Sequence, residues 1–201
     1  DLVQMRALIW SGEDLGASFV ATEIPAELRA EAEAAHHRLV EAVAEKDETL
    51  MHRYVEGQPI SSLQLQEALR RVVLKNELVP VICGAAFKNK GVQPLLDAVV
   101  DYLPSPLDVA DVTGVNPDSK QPETRSASDE QPFAALVFKI FTDPYAGKLV
   151  FFRVYSGQVA KGSSLYNPRN NKRERVGRLL EMHANDRQDI EACFAGDIGA
   201  L

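Results

Sequence analysis

Residues 78–106 read LVPVICGAAFKNKGVQPLLDAVVDYLPSP, and the fold turns on how this stretch is divided. The six residues 78–83 are mostly apolar, long enough for one buried parallel strand and too short for a typical helix. Gly84-Ala85-Ala86 then supplies a tight turn of small residues, and Asn89-Lys90-Gly91 a second turn signal. Val92, Leu95, Leu96, Val99, Val100 and Leu103 recur at helical spacing until Pro104 and Pro106 stop the helix. Strand, loop and helix in this order make half of an α/β unit, with the loop where such folds bind ligands.

Outward toward the N-terminus, residues 2–10 and 18–20 read as a short hairpin, with Ser11-Gly12-Glu13-Asp14 at its turn. Pro25 falls at a first helical position. Leu28, Ala32, Ala35, Leu39 and Val43 follow at spacings of three and four, an amphipathic helix with an acidic outer face. A second segment carries Leu50, Met51 and Tyr54 and ends at Gly57 and Pro59. Ser61 with Gln64 matches a capping box, ahead of a stripe of Leu65, Leu69, Val72 and Val73.

Outward toward the C-terminus, residues 108–131 shift to DVADVTGVNPDSKQPETRSASDEQ, the composition of a linker. From Pro132 the period becomes two. Phe133, Ala135, Val137, Lys139 and Phe141 alternate with neighbours that are also mostly apolar, and Thr142-Asp143-Pro144 turns into a second strand over 149–155. Gly157, Gly162-Ser163 and Asn167-Pro168 punctuate further strands at roughly ten-residue spacing, the pattern of a small barrel or sandwich.

Charge divides the 201 residues unevenly. Residues 1–78 hold 8 Lys/Arg against 14 Asp/Glu, while residues 133–201 hold 10 against 7. The first balance argues against a nucleic-acid partner there; the second leaves room for a polyanion. No window approaches the roughly 18 apolar residues of a membrane helix, and the first residues carry no basic region before an apolar core. Cys83 and Cys193, the only cysteines, read as reduced core thiols of a cytoplasmic protein. His36, His37, His52 and His183 have no metal-ligand spacing. An opening in mid-strand and a close where a strand begins are the marks of a piece of a longer protein.

The catalytic motifs are missing: no G-x-x-x-x-G-K-[ST], no G-x-S-x-G and no H-E-x-x-H. Asn89-Lys90-Gly91-Val92 fails as a guanine-reading N-K-x-D because Val92 stands where the base needs a carboxylate. The sharpest electrostatic feature is Arg169, Lys172, Arg173, Arg175 and Arg178, five cations in ten residues opposed only by Glu174. Such a run suits phosphate contacts, or is simply a solvated turn.

Residues 83–93 (CGAAFKNKGVQ), followed by Leu95-Leu96-Asp97-Ala98-Val99 and Tyr102-Leu103-Pro104-Ser105-Pro106, closely resemble the end of the GTPase domain in the bacterial-type translation elongation factor G family. Phe138-Lys139-Ile140, Asp143-Pro144, Phe151-Phe152-Arg153-Val154-Tyr155-Ser156-Gly157, Met182-His183-Ala184-Asn185 and Ala195-Gly196-Asp197-Ile198 resemble its second domain. The acidic helices resemble the insert called G-prime that precedes the last GTPase strand. The resemblance thus spans essentially the whole chain.

It implies an α+β insert over 1–77, a partial α/β GTPase end over 78–107, a linker over 108–132 and a small all-β barrel over 133–201. It further implies a piece of a GTP-driven translocase of tRNA and mRNA, cytoplasmic and monomeric. The barrel would lie against small-subunit ribosomal RNA, and the acidic insert would suit a basic ribosomal protein. Gly84, Ala85, Ala86 and Phe87 would be the fifth GTPase motif, whose backbone N–H groups meet the guanine O6. Many relatives have Ser where Ala85 stands, so a hydroxyl that braces the loop is missing here. GTP and Mg²⁺ belong to the parent protein. The phosphate-binding loop, the switches and N-K-x-D are not in these residues, so the chain itself is expected to be inactive and to bind no GTP measurably. Two other expectations compete: a ribosome-protection or peptide-release GTPase of the same layout, and a scaffold without a GTPase.

Overall fold

The computed structural model describes residues 1–11, 14–143, 147–184 and 186–201. Gly12 and Glu13 of the first expected turn, Pro144 of the second, and Asn185 lie outside the described residues. The chain divides into two compact units, Asp1–Pro104 and Ser105–Leu201.

The first unit opens with a hairpin of β1 (Ala7–Ile9) and β2 (Val20–Thr22), paired Ala7↔Thr22 through Ile9↔Val20. Helix α1 (Ala26–Ala44) starts directly after Pro25, whose φ of −52° suits a helix entrance. Only its second half is buried, through Val40, Val43 and Ala44; Leu28, expected on the inner stripe, is exposed because no other element covers the first turns. Helix α2 (Glu48–Val55) is capped by Asp47, which accepts a 2.9 Å bond from the Leu50 amide. Helix α3 (Ser62–Leu74) has the capping box read from the sequence. Ser61 Oγ accepts from Gln64 N, and Gln64 Oε1 accepts from Ser61 N at 2.9 Å. Leu50, Leu65, Ala68, Leu69, Val72 and Val73 then close one core with the end of α1.

Helix α4 (Val92–Tyr102) follows a single 3₁₀ turn over Ala86–Lys88. It is tied to α3 by Arg70, whose guanidinium donates to the Val100 and Asp101 carbonyls at the C-terminal end of α4, where a cation suits the helix dipole. Tyr102 is its one buried residue, while Leu95, Leu96, Val99 and Val100 are exposed.

Residues 78–83 are not a strand, contrary to the expectation from sequence. A β-strand exists only through its ladder, and no described strand of this unit pairs with them. Val79 and Val81 are therefore more than four-fifths exposed, and Cys83, expected in a core, is an exposed free thiol.

The second unit is entirely β among its described elements. Within the expected linker lies a hairpin, β3 (Val112–Val115) with β4 (Pro122–Arg125). Then come β5 (Ala134–Asp143), β6 (Gly147–Ser156), β7 (Val159–Ala160), β8 (Ser164–Asn167), β9 (Lys172–Arg175), β10 (Leu179–His183), β11 (Asp186–Ile190), β12 (Ala192–Cys193) and β13 (Ile198–Ala200). The main antiparallel sheet runs β11-β10-β13-β6-β5, beside the pairs β7–β12 and β8–β9. Two bulges, at Ala134/Ala135 and Val137/Lys139, bend β5 along β6.

One face of this sheet buries Phe152, Val154 and Leu179 with Val159, Val176 and Cys193; the other gathers Leu149, Leu180 and Ala200. No closed barrel is formed by the described strands, because β5 pairs only with β6 and leaves its other edge open. Leu136, Val137, Phe138 and Ile140 on that strand are exposed accordingly.

Candidate functional sites

The loop after residue 83 closes on itself through its backbone. Ala85 N–H donates to Lys90 O at 2.9 Å, Lys90 N–H donates back to Ala85 O at 3.2 Å, and Lys88 N–H donates to the same Ala85 carbonyl. Gly84 and Gly91 face each other across the neck of this loop. Gly91 has φ +85°, and a Cβ there would meet the Gly84 Cα at 3.0 Å. The small-residue requirement read from Gly84-Ala85-Ala86 is therefore first a requirement of the loop's own closure.

Within the closed loop, Ala86 N–H and Phe87 N–H have no acceptor among the described residues. The Phe87 ring is fully exposed. Gly84, Ala85, Ala86 and Phe87 thus lie at one rim, and two of them present free donors at its start. Such a pair of N–H groups can bind a carbonyl or an anion.

The cationic run falls on the hairpin of β8 and β9 and on the segment after it. The turn is built by asparagines. Asn167 Oδ1 accepts from Arg169 N at 3.1 Å, Asn170 Oδ1 accepts from Lys172 N at 3.1 Å, and Asn171 takes the left-handed φ of 56°. Asn170 Nδ2 and Asn167 Nδ2 both donate to Glu174 Oε1, at 2.9 and 3.0 Å. These two bonds, that from Asn170 first, hold the Glu174 carboxyl below the usual range. The one carboxylate in the run is turned to amides, and pairs with no arginine.

Register puts Tyr166 opposite Arg173 and Ser164 opposite Arg175, so both arginines share a face with a tyrosine. Arg169, Lys172, Arg173 and Arg175 are all exposed and have no salt bridge among the described residues. Arg178 differs. It lies beyond β9 and forms a two-point pair with Asp189 of β11, Nε to Oδ1 at 3.0 Å and Nη2 to Oδ2 at 2.8 Å. The structure therefore leaves four of the five expected cations without a salt bridge among the described residues and gives the fifth a partner.

Sequence reading missed Tyr166 because its alignment with Arg173 is set by strand register, and it missed Asp189 because eleven residues separate it from Arg178. No group of His, Cys, Asp and Glu that could hold a metal occurs among the described residues. His183 is the last residue of β10. Two surface depressions lie elsewhere, one beside Lys46, Met51 and His52, the other beside Pro106, Ser128 and Glu130. No described helix is long and apolar enough to cross a membrane.

Comparison with known proteins covers the two units differently. Residues 132–201 match the family model for elongation factor G domain 2. The whole chain superposes on part of a crystal structure of a protein from Thermus thermophilus with a TM-score of 0.72 at 24% identity. All of this chain and 27% of that one are covered. That likeness speaks for the fold, and this chain spans about a quarter of its neighbour's length.

Proposed function

We propose, from the premise that residues 132–201 belong to the elongation factor G domain 2 family, that this chain is the ribosome-binding part of a translational GTPase that moves tRNA and mRNA. The β-hairpin of β8 and β9 is the RNA-facing element. Arg169, Lys172, Arg173 and Arg175 meet phosphates of small-subunit ribosomal RNA, and Arg178 joins them when it leaves Asp189. What supports this most directly is the Glu174 carboxylate, bonded to two asparagine amides in the middle of the run, so that its arginine neighbours remain unneutralised. Phosphate contacts of this kind fix position without reading sequence.

In the same reading the strands of the second unit belong to a barrel, and residues 78–83 with α4 belong to a larger α/β domain. The exposed Val79, Val81, Leu96 and Val100 support the latter, since large apolar side chains left open to this extent suit a contact with further protein. Gly84, Ala85, Ala86 and Phe87 would face guanine through the free N–H of Ala86, with GTP and Mg²⁺ held by parts of the parent outside these residues. The acidic insert would meet a basic ribosomal protein, in the cytoplasm.

The test is binding to small ribosomal subunits as a function of salt. Replacing Arg173 and Arg175 by Glu weakens binding more at low salt than at high, and lowers the slope of log K against log salt by about 0.7–0.9 per lost phosphate contact. Unchanged affinity at every salt concentration rejects the hairpin as the contact. A calorimetric titration of the chain with GTP and Mg²⁺ is expected to be flat.

A further inference from the structure

The loop of residues 84–91 is attached, in addition to its own closure, to the turn that follows β1. Asn89 Nδ2 donates to the Leu15 carbonyl at 3.0 Å. Gln93 Nε2, at the second residue of α4, donates to both Gly16 O at 2.8 Å and Ala17 O at 3.0 Å. Between these bonds the two backbones touch: a Cβ on Gly16 would lie 2.5 Å from Asn89 O, and Gly16 has φ +80°. Asn89 itself sits at φ 53°, a conformation that asparagine tolerates better than most residues.

Two features mark this contact as more than incidental packing. Leu15, Gly16 and Ala17 belong to a turn with no ladder of its own, and the carbonyls of all three are satisfied by just two side chains. Gln93 meets them at a cost, because its own Oε1 is buried with no partner.

We propose that Asn89 and Gln93 are positioning residues: they clamp the loop 84–91 to residues 15–17, so that the hairpin of β1 and β2 and the loop open and close as one unit and present the Ala86 N–H outward in a fixed direction. The clamp assigns a role to the Asn89 side chain, which as part of an N-K-x-D reader has none. It rests on the guanine-facing reading only for the identity of what the Ala86 N–H would meet. A partner that moves the hairpin would then move the loop, and the converse holds by linkage.

Residue-resolved amide exchange on the 201-residue chain tests this. Asn89→Gly removes the side-chain donor while keeping the left-handed backbone. Gln93→Glu keeps the size of the side chain but has no N–H to donate. Each variant is expected to speed exchange at Ala85 and Lys90 by about tenfold, the scale of one or two lost hydrogen bonds. Ala17, whose N–H bonds to Asp14 O, should quicken with them, with α3 unchanged as the internal reference for folding. Unchanged exchange at Ala85 and Lys90 in both variants overturns the clamp, as does faster exchange there with Ala17 unaffected. The guanine-facing reading fails separately, and recognisably, if the Ala86 N–H of the unsubstituted chain exchanges as slowly as Ala85.

Discussion

Asp47 and Arg71 form a two-point ion pair, Nε to Oδ2 at 2.8 Å and Nη2 to Oδ1 at 3.0 Å, that joins the start of α2 to the last turn of α3. Asp47 is only 5% exposed and also caps α2, so one carboxylate fixes two helices against each other. Its pKa lies below the usual carboxylate value, chiefly because of the bonds from Arg71 and further because of the Leu50 amide. A carboxyl depressed in this way contributes stability that is fully present above its unfolded value of about 3.9 and is lost as pH falls through the lower folded value.

Replacing Asp47 therefore separates two effects. Asp47→Asn keeps a capping oxygen and loses the charge. Asp47→Ala loses both, at a cost of about 1–3 kcal/mol from the missing cap and the missing charge-assisted bonds. Thermal melts of the first unit should rank wild type above Asn above Ala at pH 7. Below about pH 4 the wild-type advantage over Asn should shrink, since protonation makes the native carboxyl resemble the amide. An advantage that grows as pH falls would contradict this sign.

Gly157 carries a second prediction. It has φ +69°, and a Cβ there would lie 2.5 Å from Gln131 O and 2.7 Å from Phe133 Cα, where the chain enters the core of the second unit. Gly157→Ala should cost about 1–3 kcal/mol from the backbone conformation alone, with the clash in addition. Gly162 has φ +83° with no neighbour nearer than 3.9 Å, so Gly162→Ala should show the backbone cost only. Equal losses in denaturant midpoint would mean that the segment at Gln131 yields freely.

The two thiols should differ in reactivity. Cys83 is exposed, whereas Cys193 is buried and its thiol is pushed up by that burial, then by Asp197 and Glu181. Mass spectrometry after brief alkylation at pH 8 should find one label per native chain and two after denaturation. The thiolate is the reactive form, and Cys193 is short of both thiolate and access. Rapid double labelling of native protein would place Cys193 at the surface.

Arg178 provides a charge test within the proposed interface. Its pair with Asp189 is exposed to solvent on both sides, so Arg178→Ala should leave the thermal midpoint nearly unchanged. Asp189→Asn should release the guanidinium and tighten binding to small ribosomal subunits at low salt, with the gain vanishing as salt rises. No gain at any salt concentration would exclude Arg178 from the contact.

Local signals were the legible part of this fold. The Ser61–Gln64 capping box, the stop at Pro104 and the strand breaks at Gly157, Gly162-Ser163 and Asn167-Pro168 act over a few residues and stand in the structure, whereas Thr142 and Asp143, expected in a turn, end strand β5. The strand expected at residues 78–83 failed for a reason that no local signal carries: its apolar residues suit a ladder, and the described chain has no partner for it. The cation cluster was legible as composition. Which of its members are free was not, because Arg178 finds Asp189 across a strand pair and Glu174 finds two amides across a turn. The clamp by Asn89 and Gln93 depends on contacts more than seventy residues apart in sequence.

The sheet order β11-β10-β13-β6-β5 places β13 in the middle, where Ile198, Gly199 and Ala200 face Arg153, Phe152 and Phe151, and Ala200 also faces Leu180. Until those residues have left the synthesising machinery, the sheet is two separate hairpins, β5–β6 and β10–β11, with nothing joining them in a ladder. Its assembly therefore waits for residues 198–200, after its other four strands have already been made, and until then two inner edges stay unpaired.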